Sequence, residues 1–272
     1  MHPIERLRYI ARTTGVDQRT LVAETAAALR ALRNDPAGLV VSCRRIVERH
    51  PTSGPLWWMS AHLLTSADPA STAHELAGHI ELDPTPDLLV DGLPDGATVC
   101  LLGWPDLAGE AVLRRGDLTV LAVDALDQGS SFVRRLQRND VDAEVVEPSG
   151  LAAAVTAADV VLVEALAAGP RHLLAIRGSL AAASVAYCAE VPVWVVVGRG
   201  RRLPERAFDQ IADDAAAATR RPWFAEAEVV PLALASTISD EHGPRPLGDE
   251  PLVAECPLAH ELLRGAGGRP QG

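Results

Sequence analysis

The sequence predicts an α/β fold: an N-terminal helical domain followed by a Rossmann-like, mostly parallel, doubly wound sheet domain. Two observations predict it. Up to about residue 91, apolar residues recur at three-and-four spacing. From about residue 97, short apolar runs alternate with amphipathic stretches. The segment "DPTPDLLVDGLPDG" between them reads as a linker, which divides the chain into residues 1–91, 92–243 and a Pro/Gly-rich tail, 244–272, that wraps the domain or frays.

Taken in order, "RTLVAETAAALRALRND" sets Leu21, Val22, Thr25, Ala28, Leu29 and Leu32 on one helical face and stops at Pro36. A second helix covers "GLVVSCRRIVERH", a third "LWWMSAHLL" after Pro51, Gly54 and Pro55, and a fourth "ASTAHELAGHIEL". Then "ATVCLLG", "LTVLAVD", "DAEVVEP", "DVVLVEA" and "VPVWVVVG" read as strands apolar on both faces, the pattern of a parallel sheet. Helices "AGEAVLRRG", "GSSFVRRLQRND", "SGLAAAVTAA" and "GSLAAASVAYCAE" separate them. Within 160–179 the apolar run ends, a glycine-containing loop follows, and Gly178-Ser179 opens a helix. Ligands in such sheets bind beyond the carboxyl ends of the strands, here Gly103–Asp106, Asp124–Gly129, Pro148–Gly150, Glu164–Gly169 and Gly198–Arg202.

Composition narrows the chemistry. The formal charge of -11 argues against a nucleic acid backbone as the main partner. All 25 basic residues are arginine, which excludes Schiff-base and lysine-base catalysis and leaves arginine forks, backbone amides and helix N-termini to bind anions. Cys43, Cys100, Cys188 and Cys256 lie far apart and read as buried thiols of a reducing cytoplasm. With no signal segment and no apolar run of about 18 residues, a cytoplasmic protein without membrane contact is expected.

Three constellations stand out. In "HELAGH", His74 and His79 are five apart, which turns them about 140° from each other on a helix, and metal binding is set aside. "GRGRRLPERAF" gathers Arg199, Arg201 and Arg202 at a strand end, the best seat for a phosphate. "HPTSGP" offers Thr52, Ser53 and Gly54 to an anion, and the "LWWM" that follows reads as a buried contact or as a surface for another chain. Neither G-x-G-x-x-G nor G-x-x-x-x-G-K-[ST] occurs, and no cofactor is expected.

Several segments, in order over roughly residues 20–243, resemble the initiation factor 2B alpha/beta/delta-like family, which includes methylthioribose-1-phosphate and ribose-1,5-bisphosphate isomerases. "RHPTSGPLWWMSAHLL" resembles its R-P-T-A-V-N-L-x-W-A turn. "VDALDQGSSFVRRLQRNDVDAEVVEPSGLAAAVTAADVVLVEALAAG" looks like its E-S-R-P-x-x-Q-G to V-L-V-G-A-D-x-I-x-A-N-G series, "IRGSLAAASVAYCAEVPVWVVVG" like its N-K-I-G-T helix, and "AEVVPLALASTISDEHG" like its closing F-E-x-x-P…E-x-G. The resemblance implies a sugar-phosphate pocket between domains and assembly as a homo-oligomer, a dimer. It places ligand contacts at Thr52, Ser53, Gly54, Gly103, Asp124, Gln128, Gly129, Gly178 and Ser179, to which the arginine loop at the last strand end adds Arg199 and Arg201.

The family's catalytic residues are largely replaced. Its cysteine position falls on Gly103, the arginine of E-S-R-P among Ala125–Asp127, and the asparagine and lysine before I-G-T on Ala175 and Ile176. Its acid falls on Glu164 or Ala165, depending on one gap. Since losing one positioned proton-transfer group costs ~10²- to 10⁴-fold, the resemblance implies a catalytically degenerate binding or regulatory protein that retains a phosphorylated-metabolite site. The alternatives are a divergent aldose-ketose isomerase using Glu164 as acid/base, and a structural subunit whose "LWWM" surface binds a protein partner.

Overall fold

The structure, a computed structural model, describes residues 17–263. Four helices form its first part: α1 (Gln18–Leu29), α2 (Pro36–Arg49), α3 (Gly54–Thr65) and α4 (Pro69–Glu81). Each opens on a side-chain cap, Asp17, Asp35, Ser53 or Asp68, that accepts from an amide of the first turn, and α2, α3 and α4 add a proline there. The central helix is α3, in which Leu56, Trp57, Trp58 and Met59 are all buried against neighbouring helices and against Ala167, Leu174 and Leu203 of the sheet region. "LWWM" is therefore internal and offers no surface to another chain.

The stretch read as a linker is instead a helix, α5 (Thr85–Gly92). Its prolines disguise it, because Pro86 lies in the first turn, where the missing N–H costs nothing. Leu89 is fully buried and fastens it to the sheet core.

Alternating strands and helices follow: β1 (Thr98–Leu102), α6 (Leu107–Leu113), β2 (Thr119–Val123), α7 (Gly129–Gln137), β3 (Asp142–Val146), α8 (Leu151–Ala157), β4 (Val160–Ala168), β5 (His172–Ile176), α9 (Ser179–Cys188), β6 (Val193–Val196), α10 (Glu205–Ala217), β7 (Ala227–Pro231), β8 (Thr237–Asp240) and β9 (Gly243–Pro246). The main sheet runs β3-β2-β1-β4-β6-β8-β9 and is parallel up to β8, with β9 antiparallel at the edge. All five predicted strands occupy its parallel part.

The glycine-containing loop expected after the run at 160 is a hairpin. Past Glu164, β4 leaves the parallel sheet and pairs antiparallel with β5 through a register shift between Ala165 and Ala167, and β5 pairs with β7. Alanines there carry little intrinsic strand preference, and the pairing comes from packing, with Ala165, Ala167, Ala168, Leu173 and Leu174 all fully buried. The last described residues run back across the helices: Trp58 Nε1 and His62 Nε2 both meet the Glu255 carbonyl, and Ala259 and Leu262 join the helical core.

Candidate functional site: a cleft between the helices and the strand ends

A cleft of about 560 Å³ lies where the starts of α1 and α3 face the carboxyl ends of β1 and β4, lined among others by Thr52, Asp106, Gln128, Glu164, Ser179 and Arg201. At its floor Glu164 is almost completely engaged. Oε2 accepts from the Leu107 and Ala108 amides at 2.9 Å each, filling the N-terminus of α6, and Oε1 accepts from Arg201 Nη1 at 2.8 Å. The Arg201 side chain is 4% exposed and also donates to the Ala165 carbonyl. Burial works against its charge, but the charges of Glu164 and Asp106 more than restore it, and the guanidinium stays ionised.

Asp106 completes this group. Burial raises its carboxyl to about 6, the Glu164 charge adds to the rise, and Arg201 opposes it. It accepts from the Gln18 amide at 3.2 Å, while Gln18 Oε1 accepts from Ser53 Oγ at 2.5 Å. A salt bridge of 2.8 Å from Arg19 to Glu110 reinforces the same wall. At the mouth, Trp104 is part-exposed, with the Arg135 guanidinium 5.6 Å from its ring centroid.

A second helix N-terminus opens nearby. Gly178, at φ +97°, begins α9, and the Gly178 and Leu180 amides both donate to Glu228 Oε1 at 2.8 Å. The N-termini of α6 and α9 at the cleft thus each carry a carboxylate from elsewhere in the chain, occupying the backbone donors that otherwise bind anions.

The fold is shared with solved structures. Translation initiation factor eIF-2B of Pyrococcus horikoshii OT3 superposes with a TM-score of 0.75 at 14% identity, covering 89% of this chain and 96% of that one. The chain has the initiation factor 2B fold. The beta subunit from Chaetomium thermophilum matches at 0.67 and 14% identity over 90% of this chain and 88% of its own. A chain of the tetrameric beta2-delta2 complex of that organism matches at 0.69 and 15% identity over 90% of each. No family model matches the sequence, and no curated protein matches it.

On this 2B fold the residues expected at a site divide into two sets. Thr52, Gln128, Glu164, Ser179 and Arg201 line the cleft together, and Arg199 lines the adjoining hollow. The others have structural work. Ser53 caps α3 and holds Gln18, and a Cβ on Gly54 would stand 2.6 Å from the Leu166 carbonyl oxygen. Asp124 takes the Gly129 amide at 2.7 Å. Arg199 Nη1 donates to the carbonyls of His79 and Leu82 at the end of α4. Arg202 pairs with Asp240, Glu241 and Glu255.

Gly103, the position that the resemblance gives to a catalytic cysteine, has φ +60°, and a Cβ there would approach Ile176 Cδ1 to 2.8 Å. A cysteine would need both a strained backbone and a shift of its neighbour. The existing thiols do not replace it: burial pushes Cys43, Cys100 and Cys256 up to about 12. Cys188, expected to be buried, is exposed at the end of α9. The residues missed from sequence are Asp106, which only bounded a predicted strand-end loop, and Glu228, whose role depends on the unforeseen β7.

Proposed function

We propose that the chain is a non-catalytic binding or regulatory protein built on the initiation factor 2B fold, in which sugar-phosphate isomerisation has been lost. The observation that carries this reading is the filling of the α6 and α9 N-termini at the cleft by Glu164 and Glu228. A substrate phosphate would have to displace a carboxylate already held by backbone amides, and general acid/base work by Glu164 would need an oxygen free to reach a substrate proton. Both of its oxygens are in use. The replaced thiol position at Gly103 supports the same conclusion.

A phosphorylated metabolite remains a candidate ligand only toward the cleft mouth, where Arg135 is exposed beside Trp104. The test is to incubate the purified full chain with ribose 1,5-bisphosphate and with methylthioribose 1-phosphate, and to run a thermal-shift panel of sugar phosphates and nucleotides beside it. No turnover is expected. A ligand that binds without being turned over raises the melting temperature by mass action. Enzyme-like turnover that disappears in Glu164→Ala would overturn the reading in favour of a divergent isomerase.

A further inference from the structure

Beside the cleft lies a hollow of about 360 Å³, toward the lower end of the ~300–1,000 Å³ range of small-molecule sites. The start of α1, the end of α4, helix α6 and the loop of Arg199 line it. Four carboxylates and four arginines face it, so its charge balances. The cleft itself has four carboxylates against two arginines. Neither space supplies the net positive field that draws in a phosphate ester.

Most of the charges around the hollow are already engaged within the chain. Both oxygens of Asp17 accept from Thr20, and Asp83 accepts from Thr85 and from the Arg199 amide. Glu110 pairs with Arg19 and Arg114. The Arg199 side chain donates to the carbonyls that end α4, and Arg201 donates to Glu164. Two groups of opposite sign are left. Asp106 Oδ2 accepts from the Gln18 amide, while its Oδ1 takes no hydrogen bond among the described residues. Arg135 is exposed and pairs with no carboxylate among them; its guanidinium lies over Trp104, 5.6 Å from the ring centroid. Trp104 and Asp106 stand two residues apart on one loop, so a free acid and a free base meet at one part-exposed indole.

We propose that the hollow binds a small zwitterion, an α-amino acid with an apolar side chain, its ammonium on Asp106 Oδ1 and its carboxylate on the Arg135 guanidinium. This rests on reading the chain as a binding protein and names the class of its ligand. A molecule with one charge of each sign matches one free acid and one free base, whereas a phosphate would meet the repulsion of Asp106. The arginine fork can receive a carboxylate through two parallel bonds. Burial and the Glu164 charge both work against an ionised Asp106, so an arriving ammonium relieves a charge that the chain leaves poorly compensated. Pro55, Ile80 and Leu113 line the rest of the hollow, which gives the side chain an apolar surface to cover.

Calorimetric titration of the full chain tests the inference, with L-leucine, L-methionine and L-phenylalanine as probes. Two analogues of leucine run beside them, isoamylamine without the carboxylate and isocaproate without the ammonium. Each analogue should bind roughly ten- to a hundredfold more weakly than leucine, the scale of one hydrogen bond to a charged group. Asp106→Asn should weaken leucine and isoamylamine by a similar factor and spare isocaproate. Arg135→Gln should weaken leucine and isocaproate and spare isoamylamine. Both variants should keep the wild-type circular dichroism. If Asp106→Asn fails to fold, Arg135→Gln and the two analogues decide. No binding of the three amino acids at millimolar concentration, or leucine binding that neither variant changes, overturns the inference and leaves the binding-protein reading standing. Turnover of ribose 1,5-bisphosphate by the same preparation would instead overturn that reading, and the inference with it.

Discussion

The N-termini of α6 and α9 at the cleft are filled in the same way and fastened differently. At α6, Glu164 spends one oxygen on two amides and the other on Arg201, and the side chains of both partners are less than a tenth exposed. At α9, Glu228 is half-buried and one oxygen takes both amides, with no arginine bonded to it among the described residues. The first is a buried ion pair that holds the sheet to the loop of Arg201. The second is a carboxylate on a strand near the surface, occupying a place that a stronger anion could contest. An anion-binding backbone can thus be retained while its ligand is supplied from within the chain, either firmly or loosely.

The firm end should break hardest. Arg201→Met leaves Glu164 buried beside Asp106 without a counter-charge, and losing one partner of a buried pair costs about 3–5 kcal/mol. Denaturant unfolding would read that loss. A cost under about 1 kcal/mol, the range of an exposed pair, would mean that the α6 socket is no firmer than the α9 socket.

Asp106 gives the next effect and a sign. Its folded carboxyl sits near 6 against an ordinary 3.8, so the folded state binds the proton more tightly than the unfolded chain. The stability this contributes is fully present below the unfolded value and is lost as pH rises through about 6. Asp106→Asn keeps an oxygen for the Gln18 amide and removes the ionisation. It should exceed the wild type above pH 6 by no more than about 3 kcal/mol, at ~1.4 kcal/mol per unit. Melting curves across pH 4 to 8 that run parallel for the two proteins would show that the acid at α6 is not under this strain.

How much of this was legible in the sequence follows from the range of the interactions. The strands β1, β2, β4 and β6 are largely buried on both faces, so each shows as a continuous apolar run, while the edge strand β3 is mostly exposed or half-buried and is marked only by Val145 and Val146. Strands β5 and β7 are short, and β7 exists through pairing with β5 across a separation of 51 positions at Ile176–Ala227. Helix α5 was hidden by its own prolines. Glu164 and Arg201 were each recognisable at a strand end, one as a base and one as a phosphate ligand. Their neutralisation of each other across 37 positions leaves no local pattern. Asp106 and Glu228 are ordinary acids in sequence and become informative only once a helix N-terminus is set against them.

The loose end of the comparison gives the smallest stability change and the clearest chemical one. Glu228→Ala frees the Gly178 and Leu180 amides, and an unmade bond to a charged group costs about 1–3 kcal/mol when buried and less at this half-exposed position. The vacated N-terminus of α9 then has the free donors and the dipole that favour an anion. Inorganic phosphate should raise the melting temperature of Glu228→Ala and leave that of the wild type unchanged, while Glu228→Gln, which keeps an acceptor oxygen, should fall between them. If phosphate stabilises the wild type as strongly as the alanine variant, Glu228 is not what occupies the socket in solution, and the contrast between α6 and α9 fails at its weaker member.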